Sequence, residues 1–215
     1  MATTEEMDRM YRWTRYVYDF TRKYYLLGRD RLLCEMELKA GDRVLEIGCG
    51  TARNLICLAR RRPEVLAYGL DVSHEMLATA AAKVTSRGLA SRITLRHCFA
   101  EQLDHRGTFG LDEPFDAAFF SYSLSMIPTW PEAIEAALRN LKPRATLYVV
   151  DFWDQGGWPG WFRAILKGWL DLFHVHYRPE LIDYLQKLDE KGVGKLTLQS
   201  VAGRYAYLAA FRKSG

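Results

Sequence analysis

Residues 44–54 read VLEIGCGTARN, an apolar strand that runs through a glycine turn into a helical stretch. Gly48 and Gly50 allow the backbone to approach a ligand where a side chain would clash. Backbone N–H groups at the start of the helix can meet a carboxylate or phosphate. Asp71 closes the next apolar run, about 20 residues on, where a carboxylate can hold ribose hydroxyls. Glu46, just ahead of Gly48, can bind a cationic amino group directly or through water. A dinucleotide fingerprint requires G-x-G-x-x-G, and its third glycine is here Arg53, too bulky for close helix–strand packing. The set therefore fits an amino-acid-bearing nucleoside better than a pyrophosphate, and nicotinamide chemistry least. Singly, the G-x-G reads equally as a turn and Asp71 as a helix cap. Their combination with Glu46 in one strand context carries the ligand reading.

Aromatic residues form the second chemical signal. Tyr18, Tyr25 and Tyr122 could relay a proton through the hydroxyl or stabilise ammonium charge with the ring face. Tyr18 and Tyr25 also suit ordinary packing of an amphipathic helix. Tyr122 follows the fourth apolar run, at the edge where open α/β sheets bind ligands. Residues 152–177 hold eight aromatics in 26 positions, interspersed with Arg163, Lys167, His174 and His176. Such a stretch fits either an interfacial surface or a lid that buries its own core. The His174–His176 pair lacks a nearby acid or cysteine motif, so no metal site is expected.

These groups need elements to position them. Residues 7–38 follow helical spacing, with Met10, Tyr11, Thr14, Val17, Tyr18, Thr21 and Tyr25 near one face and Gly28 as a break or bend. Strands are expected at 43–48, 65–71, 93–99, 115–122 and 145–152. Helices are expected at 53–62, from a Ser73 cap to residue 86 before Gly88, from Pro131 to Leu141, and from Pro179 to Gly192. Alternation of strands and helices implies a parallel α/β sheet. KLTLQSV and YAYLAAFRK, around Ala202 and Gly203, read as a terminal antiparallel hairpin. One domain is predicted over 1–215: a helical cap (1–39), a cofactor-binding core (40–152), an aromatic-rich lid insert (153–192) and the hairpin (193–215).

The glycine loop with Glu46 and Asp71 resembles the first motif of the class I S-adenosylmethionine-dependent methyltransferases, over roughly residues 40–152 and the hairpin. The resemblance implies a Rossmann-like α/β fold with a mostly parallel seven-stranded sheet, a C-terminal antiparallel hairpin and an N-terminal helical cap. It implies S-adenosylmethionine as cofactor, held by Arg29, Glu46, Gly48, Cys49, Gly50, Thr51 and Asn54 on the first half of the site. Asp71, Val72, Met76, Phe99, Ala100, Glu101 and Ser121 complete the set. Two positions depart from the family. Ala52 replaces the third glycine, and Phe99-Ala100-Glu101 replaces the acidic contact to adenine, so Phe99 could pack on the ring instead. The stretch 11–33 is similar to bacterial betaine-lipid methyltransferases, which trimethylate diacylglyceryl homoserine. Tyr18-Asp19 and Gly28-Arg29 are also similar to bacterial phosphatidylethanolamine N-methyltransferases. The implied reaction is methyl transfer to a lipid amine, with Tyr18, Tyr25 and Tyr122 as catalytic candidates. Arg29 or Lys23 could pair with a carboxylate of cofactor or substrate.

Composition narrows the remainder. The chain has 215 residues, 49% hydrophobic and 26% charged, a globular balance that excludes disorder. No apolar run is long enough to span a bilayer, and MATTEEMDRM has no secretory core. Cys34, Cys49, Cys57 and Cys98 form no C-x-x-C pair, which fits a reducing compartment without disulfides. A net charge of +4 tolerates an anionic membrane. The fourth strand ends Ser121-Tyr122-Ser123-Leu124, unlike the motif used on exocyclic base amines, and no dense basic stripe points to nucleic acid. The expected setting is cytoplasmic with peripheral membrane contact, the partner an amine-bearing lipid headgroup. A quinone or small-molecule methyltransferase of the same fold, or a non-catalytic membrane-binding module, are the competing readings.

Overall fold

The computed structural model describes residues 26–161, 165, 168 and 178–215. Its first element is α1 (Arg29–Glu35), entered through Gly28 at φ 89°. A Cβ on Gly28 would meet Val150 Cγ2 at 3.2 Å and Val201 Cγ1 at 3.3 Å, so only glycine lets the chain turn this close to the sheet. The helix ends at Glu35, short of the expected residue 38. Met36 turns extended, its side chain sinks into the core, and Asp42 accepts from the Lys39 amide at 2.6 Å to shape the turn that follows.

The elements then alternate as β1 (Arg43–Ile47), α2 (Arg53–Arg61), β2 (Leu66–Asp71), α3 (His74–Ser86), β3 (Ile93–His97), α4 (His105–Phe109), β4 (Phe115–Ser121), α5 (Trp130–Arg139), β5 (Leu141–Phe152), α6 (Glu180–Glu190), β6 (Gly194–Val201) and β7 (Ala206–Lys213). Ser73 caps α3, its hydroxyl accepting from the Met76 amide, an interaction worth ~1 kcal/mol. Helix α5 stops at Arg139, before the expected Leu141. Leu141 instead pairs with Phe115 and starts β5 four residues earlier than the apolar run 145–152 indicates. The intervening Pro143 and Arg144 lie at a register irregularity, where Arg144 has φ 63° and a missing ladder donor is tolerated.

The seven strands run in the order β3-β2-β1-β4-β5-β7-β6. Strands β1 to β5 pair in parallel, while β7 is antiparallel to both β5 and β6. The expected mostly parallel sheet with a terminal hairpin is therefore present, its antiparallel strand second from the edge. One face is sealed by Leu32, Leu55, Leu58 and Ala80 of α1 to α3. The other is sealed by Ala133, Ile134, Leu181 and Leu185 of α5 and α6. Burial on both faces explains why β1 and β4 read as continuous apolar runs. The strand order reverses between β1 and β4, which opens a crevice at the carboxyl ends of these neighbours.

Candidate functional site

The crevice is floored by the loop after β1. The amides of Gly48 and Cys49 both donate to the Leu70 carbonyl at 2.9 Å, which ties the loop to the end of β2. Asp71 braces it from the other side. Its carboxylate accepts from the Gly50 amide at 2.7 Å and from the Ser73 amide at 2.9 Å. A carboxylate at this strand end is the acceptor that ribose hydroxyls need. Asn54, on the first turn of α2, donates to Glu46 at 2.7 Å, which fixes the buried Glu46 side chain at the mouth of β1.

Ala52 occupies the third glycine position in the left-handed conformation, φ 59°. The backbone path of a glycine is thus kept at a cost of roughly 1–2 kcal/mol. Because Ala52 offers no side-chain cap, the first N–H groups of α2 stay available to a carboxylate. Thr51 and Cys49 are buried within the loop. Burial, reinforced by Asp71 and Glu46, pushes the Cys49 thiol well up, so it is a packing group rather than a nucleophile.

Val72, Met76, Phe99, Ala100 and Glu101 gather beside the ends of β2 and β3. Met76 is buried under the first turn of α3. His97 Nε2 lies 2.9 Å from the Val72 carbonyl oxygen, and its ring stacks on His74 at 3.8 Å. Phe99 meets the edge of His97 at 6.5 Å, and Ala100 opens a short 3-10 turn through Gln102. The histidine pair is invisible to sequence reasoning because it depends on the β2–β3 register, which sets Asp71 opposite His97.

At the end of β4, the Ser121 hydroxyl is buried and has no hydrogen-bond partner among the described residues. Tyr122 follows at φ 56°, a strained conformation for a bulky residue and one that clusters at functional sites. Its hydroxyl donates to the Leu27 carbonyl at 2.5 Å, its ring packs on Phe152 at 4.7 Å, and burial pushes the hydroxyl well above its ordinary range. The hydroxyl expected as a proton relay thus also holds the segment that leads into Gly28 and Arg29. Arg29 is itself buried, its Nε donating to the Leu26 carbonyl at 3.3 Å. Tyr18 and Tyr25 lie outside the described residues, as do Lys23, Arg163, Lys167, His174 and His176.

Three contributors were missed. Ser123 donates to the Ile47 carbonyl at 2.8 Å and so joins the β4 turn to the glycine loop. Arg53 pairs with Asp30 at 2.9 Å, which turns its bulk away from the sheet and docks α1 on α2. Asp151 lies one residue before the end of β5, inside the protein. Its available signal was a lone acid closing an apolar strand, the same signal that marks Asp71.

The tip of the β6–β7 hairpin is fastened to the chain after β5. Gln155 donates to Arg204, Gly157 to Gly203, and the Trp158 indole to the Ala202 carbonyl at 2.8 Å. Trp158, Trp161 and Ile165 then remain 36%, 68% and 65% exposed. Among the described residues no helix is long and apolar enough to cross a membrane, and no cluster of acids, histidines and cysteines could hold a metal.

The residues present fit an adenosyl amino acid. A Cβ on Gly48 would stand 2.6 Å from Ser123 Cβ, the start of α2 lacks a side-chain cap, and Ser121 offers a buried hydroxyl seeking a partner. Comparison with known proteins agrees. Residues 44–144 match the family model described as a methyltransferase domain. Over 131 residues the chain is 34% identical to the phosphatidylethanolamine N-methyltransferase of Cereibacter sphaeroides, covering 60% of this chain and 59% of that protein. Over 120 residues it is 33% identical to the demethylmenaquinone methyltransferase of Geobacillus kaustophilus (strain HTA426), covering 55% and 49%. The match thus spans less than two thirds of either relative's length. The crystal structure of a SAM dependent methyltransferase from Aquifex aeolicus superposes with a TM-score of 0.63 at 20% identity, covering 90% and 93% of the two chains. At that identity the likeness shows the fold alone.

Proposed function

We propose that this chain, whose residues 44–144 match a methyltransferase domain, is a class I S-adenosylmethionine-dependent methyltransferase that methylates the amine of diacylglyceryl homoserine at a membrane surface, three times, to form diacylglyceryl trimethylhomoserine. The single observation that carries the lipid reading is the exposure of Trp158, Trp161 and Ile165 just beyond the carboxyl end of β5. Aromatic and aliphatic side chains so placed can enter the headgroup boundary while the headgroup reaches the crevice. The similarity of 11–33 to the betaine-lipid enzymes supports the choice of acceptor.

When bound, the cofactor supplies a sulfonium methyl group to a neutral amine lone pair by direct displacement. The chain's own residues orient and exclude water. In this reading Glu46 takes the cofactor ammonium, Asp71 its ribose, the Gly48–Thr51 loop its backbone contacts, and Ser121 a polar group beside β4. Arg29 faces a carboxylate of cofactor or homoserine. Tyr122 holds the entry segment through Leu27, while Tyr18 and Tyr25 are the candidates for receiving the amine proton.

A second reading, phosphatidylethanolamine as acceptor, is supported by the 34% identity to the Cereibacter sphaeroides enzyme. A quinone acceptor is supported by the Geobacillus relative. The deciding experiment supplies methyl-labelled S-adenosylmethionine with vesicles containing diacylglyceryl homoserine, phosphatidylethanolamine or demethylmenaquinone, and weighs the labelled products. Label in the homoserine lipid alone, with the mass of three added methyl groups, is expected. Label confined to another acceptor overturns the assignment.

A further inference from the structure

The buried acid near the end of β5 has no role yet in the proposed reaction. Asp151 is 1% exposed. One carboxylate oxygen accepts from the Phe152 amide at 2.8 Å, the other from the Ser125 amide at 3.1 Å. Ser125 sits in the short 3-10 turn Leu124–Met126 that follows β4. On its other side, the Ser125 carbonyl accepts from Arg178 Nε at 3.4 Å, at the entry to α6. The same turn begins with Ser123, whose hydroxyl reaches the Ile47 carbonyl at 2.8 Å. Its Cβ lies where a Gly48 side chain would be. A continuous series of contacts therefore runs from Asp151 through Ser125 and Ser123 to the glycine loop.

We infer that Asp151 is a positioning residue for cofactor binding: its ionised carboxylate holds the Ser123–Met126 turn against the Gly48 loop, and its protonation releases that hold. A carboxylate accepts two amide hydrogen bonds at once, each strengthened by charge. A neutral carboxyl turns one oxygen into a donor, and the amide facing it keeps only a weaker, uncharged acceptor. Among the described residues, Arg178 at the entry to α6 and Tyr122 just after β4 interact electrostatically with Asp151, and Tyr207 lies opposite it in the β5–β7 ladder. Arg178 is the sole cation among them and opposes the burial that raises the carboxyl to about 6. The change thus falls just below neutral pH. This inference rests on the cofactor part of the functional reading and is indifferent to the acceptor.

The test uses the full chain and S-adenosylhomocysteine as the binding probe, so no acceptor is needed. Calorimetric titration from about pH 8 to about pH 5 should show affinity falling as Asp151 protonates, by up to about tenfold per pH unit below its pKa. Asp151→Asn should bind weakly at both extremes with a flat profile, circular dichroism confirming its fold. Should that variant not fold, carbon-detected NMR of the wild-type protein replaces it: the Asp151 carboxyl and Ser125 amide should titrate together. A wild-type affinity independent of pH, a pH-dependent Asp151→Asn, or a Ser125 amide unmoved while Asp151 titrates overturns the inference. Binding of the probe with no lipid methylated would overturn the acceptor assignment and leave this inference standing.

Discussion

Gly48 and Ser123 stand so close that a Cβ on Gly48 would lie 2.6 Å from Ser123 Cβ. The contact joins the loop after β1 to the turn after β4, across the point where strand order reverses. Gly48→Ala adds that clash to a left-handed backbone, φ 76°. It should destabilise the protein by about 2–4 kcal/mol in denaturant unfolding and weaken cofactor binding. Ser123→Gly in the same background should recover part of the stability, so a double-mutant cycle reads the coupling directly.

Asp71→Ala removes the acceptor for both the Gly50 and Ser73 amides. Affinity for S-adenosylhomocysteine should fall roughly tenfold to a hundredfold, the range of a lost charge-assisted hydrogen bond. Calorimetry measures it, and an unchanged affinity would remove Asp71 from the site.

Tyr122→Phe deletes one hydrogen bond, to Leu27, and keeps the contact with Phe152. Stability should fall by about 1 kcal/mol. Methyl transfer should slow while cofactor affinity is kept, because the entry segment loses its anchor and the glycine loop does not. Turnover at the wild-type rate in this variant would contradict the positioning role.

The Asp30–Arg53 pair is exposed, with side chains 55% and 37% accessible. Arg53, through its hydrogen bond, holds the Asp30 carboxyl below the usual carboxylate range. Its contribution is present above the ordinary carboxylate pKa and is lost as pH falls through the lowered value. Asp30→Asn should cost less than ~1 kcal/mol near neutrality, and added salt should shrink the difference.

Asp151 has the opposite sign. Burial raises its carboxyl from 3.8 to about 6, so the folded state binds this proton more tightly than the unfolded chain. Its protonation stabilises the fold as pH falls from about 7 towards 4, by up to about 3 kcal/mol. Denaturant unfolding of wild type minus Asp151→Asn across that range isolates this contribution. Fold stability rising while cofactor affinity falls is a combination that general acid unfolding cannot produce.

Much of the architecture was legible in the chain. Apolar runs bounded by turn residues gave the five parallel strands, Ser73 marked a helix start, and Ala202 and Gly203 marked the hairpin. These signals are local, because burial on one or both faces imposes a period that neighbouring residues record. Element ends were less legible. Leu141 is apolar whether it finishes α5 or starts β5, and its pairing with Phe115 decides the matter.

The glycine loop, Glu46 and Asp71 were determined by the sequence alone, since a backbone turn and two acids at strand ends need only short spacings to be recognised. Tertiary structure decided what those residues lean on. Tyr122 meets Leu27 across 95 positions and Ser123 meets Ile47 across 76, while Asp151 reaches Ser125 from the neighbouring strand. Such contacts follow from strand order and register, which local periodicity does not encode. Only packing both sheet faces brings the ends of β1, β4 and β5 together, and burial in that packing sets Tyr122 and Asp151 apart from exposed residues of the same type.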